Sequence, residues 1–324
     1  MGNSILPKIP PQIKDAFLKG NLVVFIGAGI SRIIGCPSWK DYAIKYLDYA
    51  MQKNCLNFYI HENLKVKYYN QPRKIITIVK KLLEEKEIEY PNITTLLKSN
   101  ENKSKDLNIY NYLARLNVIF ITTNWDDYLE LALKRITEDL KEGDQEKINE
   151  LTTKTVNSYY RREELLTKNL EVGSIMYLHG SIKDESTIIQ TTYDYINHYE
   201  KKSEASILLE HIFNNYTVLF IGYGLDEYEI LDNILKKSSK SKKETKHFML
   251  FPIFSSEQEV KKVLERYYSE LGVELLEYEI DQKGHKDLEK VIKEWSANIK
   301  YSADHIPFTT KKAIIDEVFQ IDGS

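Results

Sequence analysis

The sequence predicts an α/β protein: a Rossmann-like, mostly parallel sheet with helices on both faces and a helical insertion subdomain. Two observations carry this expectation. Short apolar runs recur at Leu22–Ile26, Asn117–Asn124, Ser174–Gly180, Tyr216–Gly224 and His247–Ile253, separated by stretches of helical spacing. That alternation is the signature of βαβ units. Four runs also end in polar or glycine residues that a buried strand does not need: Gly27-Ala28-Gly29, Thr122-Thr123-Asn124, His179-Gly180 and Gly222-Tyr223-Gly224. Ligands of open parallel sheets bind beyond the carboxyl ends of the strands, so these four ends are expected to meet along one edge.

The elements follow in order. Pro11 suits the first turn of a short helix running to about Lys19, with Gly20 as its stop. Leu22–Ile26 reads as a buried strand. Gly27 and Gly29 then let the backbone turn sharply and approach a ligand with no Cβ in the way. A phosphate is favoured at such a turn when a helix follows. The dinucleotide fingerprint of a dehydrogenase would place a third glycine where Arg32 stands, and Asp48, at the right separation for its acidic residue, lies in a helical pattern. Ser38 is an N-cap for a helix with Trp39, Tyr42, Ala43, Tyr46, Leu47 and Ala50 on one face. Asn54–Asn63 reads as a polar stretch. Residues 64–117 read as helices broken by Pro72 and Pro91, with Ile75, Ile76, Val79, Leu82 and Leu83 in helical register and Asn100–Asp106 as a loop. Residues 40–116, approximately, therefore form a helical insertion between the first two strands. Residues 125–170 read as mostly helical, with a solvated linker at 141–150 and a second helical segment at approximately 140–172. Thr187–Gln190 reads as a short strand, followed by Thr192–Ile196, and 203–213 and 226–237 read as helices. Lys236–Lys246 reads as a solvated lysine-rich loop. Ser255 caps a helix to about Leu271, Val273–Ile280 is the last strand, and 285–299 and 308–319 are helices.

Composition narrows the function. A chain of 324 residues can bury a substantial core as one domain over 1–324. The net charge of −3, with no basic half, argues against direct nucleic-acid binding driven by phosphate contacts. Two cysteines, Cys36 and Cys55, cannot supply a four-cysteine zinc site, and no His/Cys cluster has ligand spacing, so no metal is expected. No apolar run reaches a membrane span, and the N-terminus lacks the apolar core of a signal peptide. The protein is expected to be cytoplasmic.

Four motifs, taken in order, resemble the sirtuin (Sir2-like) NAD-binding fold over about residues 15–300. They are Gly27-Ala28-Gly29-Ile30-Ser31, extended by Gly35-Cys36-Pro37-Ser38-Trp39; Thr123-Asn124-Trp125-Asp126; Leu178-His179-Gly180; and Gly222-Tyr223-Gly224-Leu225. Protein-deacylating sirtuins carry a zinc on four cysteines, which this chain lacks. The zinc-free form resembles the Sir2-like NADases of bacterial anti-phage defence, such as those of Thoeris systems and those paired with a HerA helicase, an Argonaute or a nucleotide-sensing module. The resemblance implies NAD as substrate, no metal, Asn124 and His179 as the catalytic pair, and NAD contacts from Gly27, Ala28, Gly29, Ile30, Ser31, Trp39, Thr123, Asp126, Gly222, Tyr223 and Gly224.

The chemistry fits the residue types independently. Cleavage of the nicotinamide–ribose bond passes through an oxocarbenium-like state, and nicotinamide leaves well because the bond breaks from a cationic ring. What remains is to hold the ribose, orient water and accept a proton. His179 suits the last task, and Asn124 both donates and accepts hydrogen bonds. Asn124 also suits the cap of a helix starting at Trp125, a role compatible with catalysis. Asp126 serves either the ribose or the first turn of that helix. Gly222 and Gly224 either face a ligand or simply turn the chain. Tyr193 is a site or a core residue, and Glu227 pairs locally or with a neighbouring subunit. The other six histidines are read as structural.

The expectation is an NAD+ glycohydrolase, yielding nicotinamide and ADP-ribose, that depletes NAD as a defence effector. The alternatives are an NAD-dependent protein deacylase, or a non-catalytic NAD- or ADP-ribose-binding subunit of a defence complex. Unchecked hydrolysis would kill the host, so the resemblance implies gating by homo-oligomerisation or by an activating or sensing partner such as a HerA-type ATPase. No sensor is visible in the sequence, so sensing is expected on another polypeptide or a region outside this chain.

Overall fold

The computed structural model describes residues 6–97, 108–143, 156–224, 230–232, 234, 247–281 and 284–304. Its strands are β1 (Leu22–Ile26), β2 (Ile119–Thr122), β3 (Ser158–Tyr159), β4 (Ile175–Tyr177), β5 (Thr217–Ile221), β6 (His247–Ile253) and β7 (Val273–Glu279). They form one sheet in the order β3-β4-β2-β1-β5-β6-β7, with every pairing parallel. The helices before β2 are α1 (Pro11–Leu18), α2 (Ala28–Ile33), α3 (Trp39–Gln52), α4 (Phe58–Tyr68), α5 (Pro72–Glu85), α6 (Ile93–Leu97) and α7 (Asn108–Ala114). After β2 come α8 (Tyr128–Gly143), α9 (Thr192–His198), α10 (Glu204–Asn215), α11 (Gln258–Glu270) and α12 (Asp287–Asp304).

Alternating side chains of the strands feed two cores. Val24, Ile26, Phe120 and Tyr177 pack with α1, α7, α8 and α12 on one face. Val23, Phe25, Ile121 and Met176 pack with α10 and part of α11 on the other. Strands buried on both faces read as continuous apolar runs, which is why β1 and β2 were legible as parallel strands. No helix among the described residues is long and apolar enough to cross a membrane.

Helices α3–α6 make a lobe with its own core of Tyr42, Tyr46, Leu47, Ile75, Ile76, Val79 and Leu83. Trp125 and Ile188 join that core from the sheet side. Ser38 opens α3 with a capping box: its hydroxyl accepts from the Asp41 amide while Asp41 accepts from the Ser38 amide. Helix α7 packs against the sheet instead, through Ile109, Tyr110 and Leu113. As a packed unit the lobe thus ends before α7, short of the expected boundary near 116.

Several local expectations are corrected. The polar stretch Asn54–Asn63 holds the start of α4, because the Asn57 side chain accepts from the Ile60 amide and nucleates the helix. Pro72 begins α5 rather than breaking a helix, since its missing N–H falls where no partner exists. Over 156–172 the expected helical segment is absent. Helix α8 runs to Gly143, but 156–172 holds β3 and two single 3-10 turns, Arg162–Glu164 and Thr167–Asn169. The Glu164 carboxylate accepts from the Tyr160 and Arg161 amides, which closes the first turn on itself. Thr187–Gln190 is not a strand, and Thr192–Ile196 lies in α9, capped by Thr191 with Asp194. Asn100–Asp106, the 144–150 part of the linker, the lysine-rich loop, Glu227 and the helix at 308–319 lie outside the described residues.

Candidate active site

Tyr177, Thr122, Ile26 and Ile221 form one row across β4, β2, β1 and β5, each in register with its neighbour. The four motifs leave the sheet directly beyond that row, side by side on strands about 4.8 Å apart. Asn124 and His179 stand equally far past their row residues, and the Leu178 amide donates to the Thr122 carbonyl at 2.8 Å. Parallel pairing thus brings together residues 55 positions apart in the chain.

Asn124 is 8% exposed. Its Nδ2 donates to the Gly27 carbonyl at 3.1 Å and to Ser31 Oγ at 2.9 Å. Because a carbonyl only accepts, Nδ2 must face Gly27, and this settles the orientation of the amide. Its Oδ1 is buried and has no hydrogen-bond partner. An acceptor left in that state costs about 1–3 kcal/mol, which a ligand hydroxyl or water would recover. Asn124 does not cap a helix at Trp125, since α8 starts only at Tyr128.

His179 is 2% exposed. Its Nε2 lies 2.7 Å from Tyr199 Oη and its Nδ1 3.3 Å from Tyr195 Oη. Burial, then the neighbouring His198 and Arg73, holds the imidazole well below its usual titration range, so it is neutral near pH 7. A neutral imidazole keeps one lone pair for a proton.

The SIR2-like domain family matches residues 118–276, a span that holds Asn124, His179 and the Gly222 loop. The protein carries a SIR2-like domain. It is similar to Defense-associated sirtuin 2 of Bacillus subtilis, with 24% identity over 278 residues that cover 82% of this chain and 24% of that protein. The chain therefore spans about a quarter of the length of that relative.

The glycine turn after β1 packs against the loop that follows β5. The Gly27 amide donates to the Ile221 carbonyl at 3.0 Å and the Gly29 amide to the Gly222 carbonyl at 2.9 Å. A Cβ on Gly27 would come within 2.5 Å of Gly222 O, and one on Gly29 within 2.7 Å. The missing Cβ atoms admit a second loop of the protein. Gly222 turns the chain at φ +63 and lies over the Ile30 amide. Tyr223 packs under that loop, its ring 5.0 Å from that of Phe25. Ala28 and Gly224 are exposed, and Thr123 is half-buried.

Ser31 and Asp126 support Asn124 from behind. Ser31 Oγ donates to Asp126 Oδ2 at 2.7 Å, so its lone pairs remain for Asn124 Nδ2. Tyr110, brought in by α7, lies 3.0 Å from Ser31 Oγ and donates to Asp126 Oδ1 at 3.3 Å. Asp126 therefore orients Ser31, and its bond to the Tyr128 amide is long, at 3.4 Å. Trp39, half-buried at the start of α3, stacks on Tyr42 and meets Trp125 edge-on at 4.9 Å, which ties the helical lobe to the Asn124 loop. Tyr193 is 70% exposed and is not a core residue. Among the described residues no cluster of His, Cys, Asp or Glu could hold a metal ion. Sequence reasoning missed Tyr110, Tyr195 and Tyr199, because 23 tyrosines gave none of them prominence.

Burial pushes the Asp126 carboxyl up to about 6, against the opposing bonds from Ser31 and the Tyr128 amide. A carboxyl whose folded pKa is raised makes the folded state hold its proton longer than the unfolded chain does. Stability then falls as pH rises from about 4 through about 6, and the cost is complete above that window. Asp126→Asn should accordingly be more stable than wild type at pH 7.5, by about 1–2 kcal/mol, with no advantage at pH 3.5. Urea denaturation at both pH values checks this. An equal effect at the two would place its origin outside the charge.

Proposed function

We propose that this SIR2-like domain hydrolyses NAD to nicotinamide and ADP-ribose as an effector of anti-phage defence. The observation that carries the reading is the buried, unpartnered Asn124 Oδ1, beside the strand that ends in a buried neutral histidine. Asn124 Oδ1 accepts a hydrogen bond from a ribose hydroxyl or from the attacking water. His179 takes the proton that water loses as its oxygen bonds to the ribose carbon, while nicotinamide leaves with the electron pair of the breaking bond. The two donor bonds of Asn124 Nδ2 hold its oxygen in place before substrate arrives, so little reorganisation is needed in the transition state. The similarity to Defense-associated sirtuin 2 of Bacillus subtilis supports the defence role. A host must restrain such an activity, so we expect gating by self-assembly, by a partner protein such as a HerA-type ATPase, or by parts of a longer protein.

The test is nicotinamide and ADP-ribose release from NAD by purified protein over a concentration series, for wild type and for His179→Ala. The expected result is release by wild type that rises more steeply than its concentration, and loss of release in the variant. Release that His179→Ala leaves unchanged would overturn the reading. Nicotinamide formed only with an acyl-lysine peptide present would indicate a deacylase instead.

A further inference from the structure

Tyr195 lies in α9 and Tyr199 is its C-cap residue, so the two stand one helical turn apart and reach the same imidazole. Their contacts with His179 are unequal. Hydroxyl donors make shorter bonds than N–H donors, which centre near 2.9–3.0 Å. In the Nδ1–H tautomer the 2.7 Å contact at Nε2 is a tyrosine donor bond and the 3.3 Å contact at Nδ1 a ring N–H donor bond, an order of lengths that matches this difference. Tyr195 is 5% exposed, and the Arg73 guanidinium of α5 lies over its ring, 3.3 Å from the centroid. A second tie fixes the same junction, the Thr192 amide donating to Thr77 Oγ1 at 3.0 Å. Tyr195 is thus clamped, whereas Tyr199 is only half-buried.

With Nδ1 carrying the hydrogen, the basic lone pair lies at Nε2, and the Tyr199 hydroxyl covers it. We propose that Tyr199 carries the proton between the reacting water and His179, and that Tyr195 is the positioning residue that holds the Nδ1–H tautomer. This rests on the hydrolase reading above. In the step, Tyr199 Oη gives its proton to His179 Nε2 and takes one from the water whose oxygen bonds to the ribose carbon. Nicotinamide departs neutral, the imidazole becomes imidazolium, and the tyrosine ends as it began.

The tautomer is read on wild type by nitrogen-15 NMR of histidine-labelled protein, with the His179 signals assigned from their loss in His179→Gln. The expected result is a neutral ring with hydrogen on Nδ1. Hydrogen on Nε2 would overturn the proposal, because Tyr199 would then accept and have no proton to pass on. The second arm is single-turnover nicotinamide release. Tyr199→Phe is expected to lower the rate by about 10–100-fold with KM changed less than twofold. Its rate should also depend linearly on the deuterium fraction of the solvent, where the wild-type dependence is curved by two protons in flight. A Tyr199→Phe rate within twofold of wild type overturns the proposal. A wild type that releases no nicotinamide sinks the hydrolase reading, and with it the carrier role, while the spectrum still decides the tautomer. The two failures are therefore distinct.

Discussion

Asn124→Ala should lower nicotinamide release, with an expected fall on the order of 10²–10³-fold in the single-turnover rate. The side chain makes two donor bonds, to the Gly27 carbonyl and to Ser31, and these aim an otherwise unpartnered oxygen. Truncation removes that oxygen and one donor each from the Gly27 carbonyl, which keeps the Ile30 amide, and from Ser31. Asn124→Asp separates the two losses. It keeps an oxygen at the Oδ1 position but sets a second one against the Gly27 carbonyl, where Nδ2 now lies at 3.1 Å. Two acceptors face each other there, so the carboxylate must turn away. The aspartate variant should be as inactive as the alanine variant and less stable than wild type by about 1–3 kcal/mol. Activity retained in Asn124→Asp would mean that the amide hydrogens are dispensable and that Ser31 does not aim the residue.

Gly180→Ala should be the most damaging of the conservative glycine changes, at about 2–5 kcal/mol from left-handed strain together with overpacking. Gly180 has φ +79, and a Cβ there would overlap the carbonyl of Thr187. That carbonyl is backbone and cannot rotate aside. The segment is tied to the histidine loop by the Ile189 amide on the His179 carbonyl at 3.0 Å and by the Ser181 amide on Thr187 Oγ1 at 3.2 Å. Relief of the overlap therefore moves His179 itself, and activity should fall with stability. Gly173→Ala is the control, because Gly173 has φ +87 but its nearest neighbour to a new Cβ is the Asn117 side chain at 3.5 Å. The control should lose only the backbone share, about 1–2 kcal/mol. Urea denaturation midpoints for the two variants check this, and equal losses would show that the Thr187 contact yields easily.

The fold was legible because a parallel sheet buried on both faces writes itself as apolar runs. The site was legible because residues at the ends of such runs are free to be polar. Asn124 and His179 were singled out as candidates that way, from their position as much as from their type. The surroundings were not legible. Tyr110 reaches Ser31 across 79 positions, through a helix whose place on the sheet no local pattern states. The glycine turn announced that a Cβ was forbidden without saying what would fill the space, and the occupant proved to be the Gly222 loop. The 156–172 region was read as helical and heavily charged, but one of its glutamates, Glu164, closes a short turn there. Asn57 started a helix inside a stretch that composition alone made look like a loop.

The contact between the glycine turn and the Gly222 loop also constrains how the sequence can drift. Gly27 and Gly29 both press on Gly222, and Gly222 presses on Ile30 in return. At Gly29 the three nearest opposing atoms are all main chain, so no trimming of a neighbouring side chain can make room there. A harmful substitution at Gly29 would lack single-site suppressors, and compensating changes would have to displace an entire loop. Gly27 differs, because Tyr223 Cδ2 is among its close neighbours and a smaller residue at 223 would relieve part of the crowding. A suppressor screen started from alanine at each position should therefore return changes at 223 for Gly27 and few or none for Gly29.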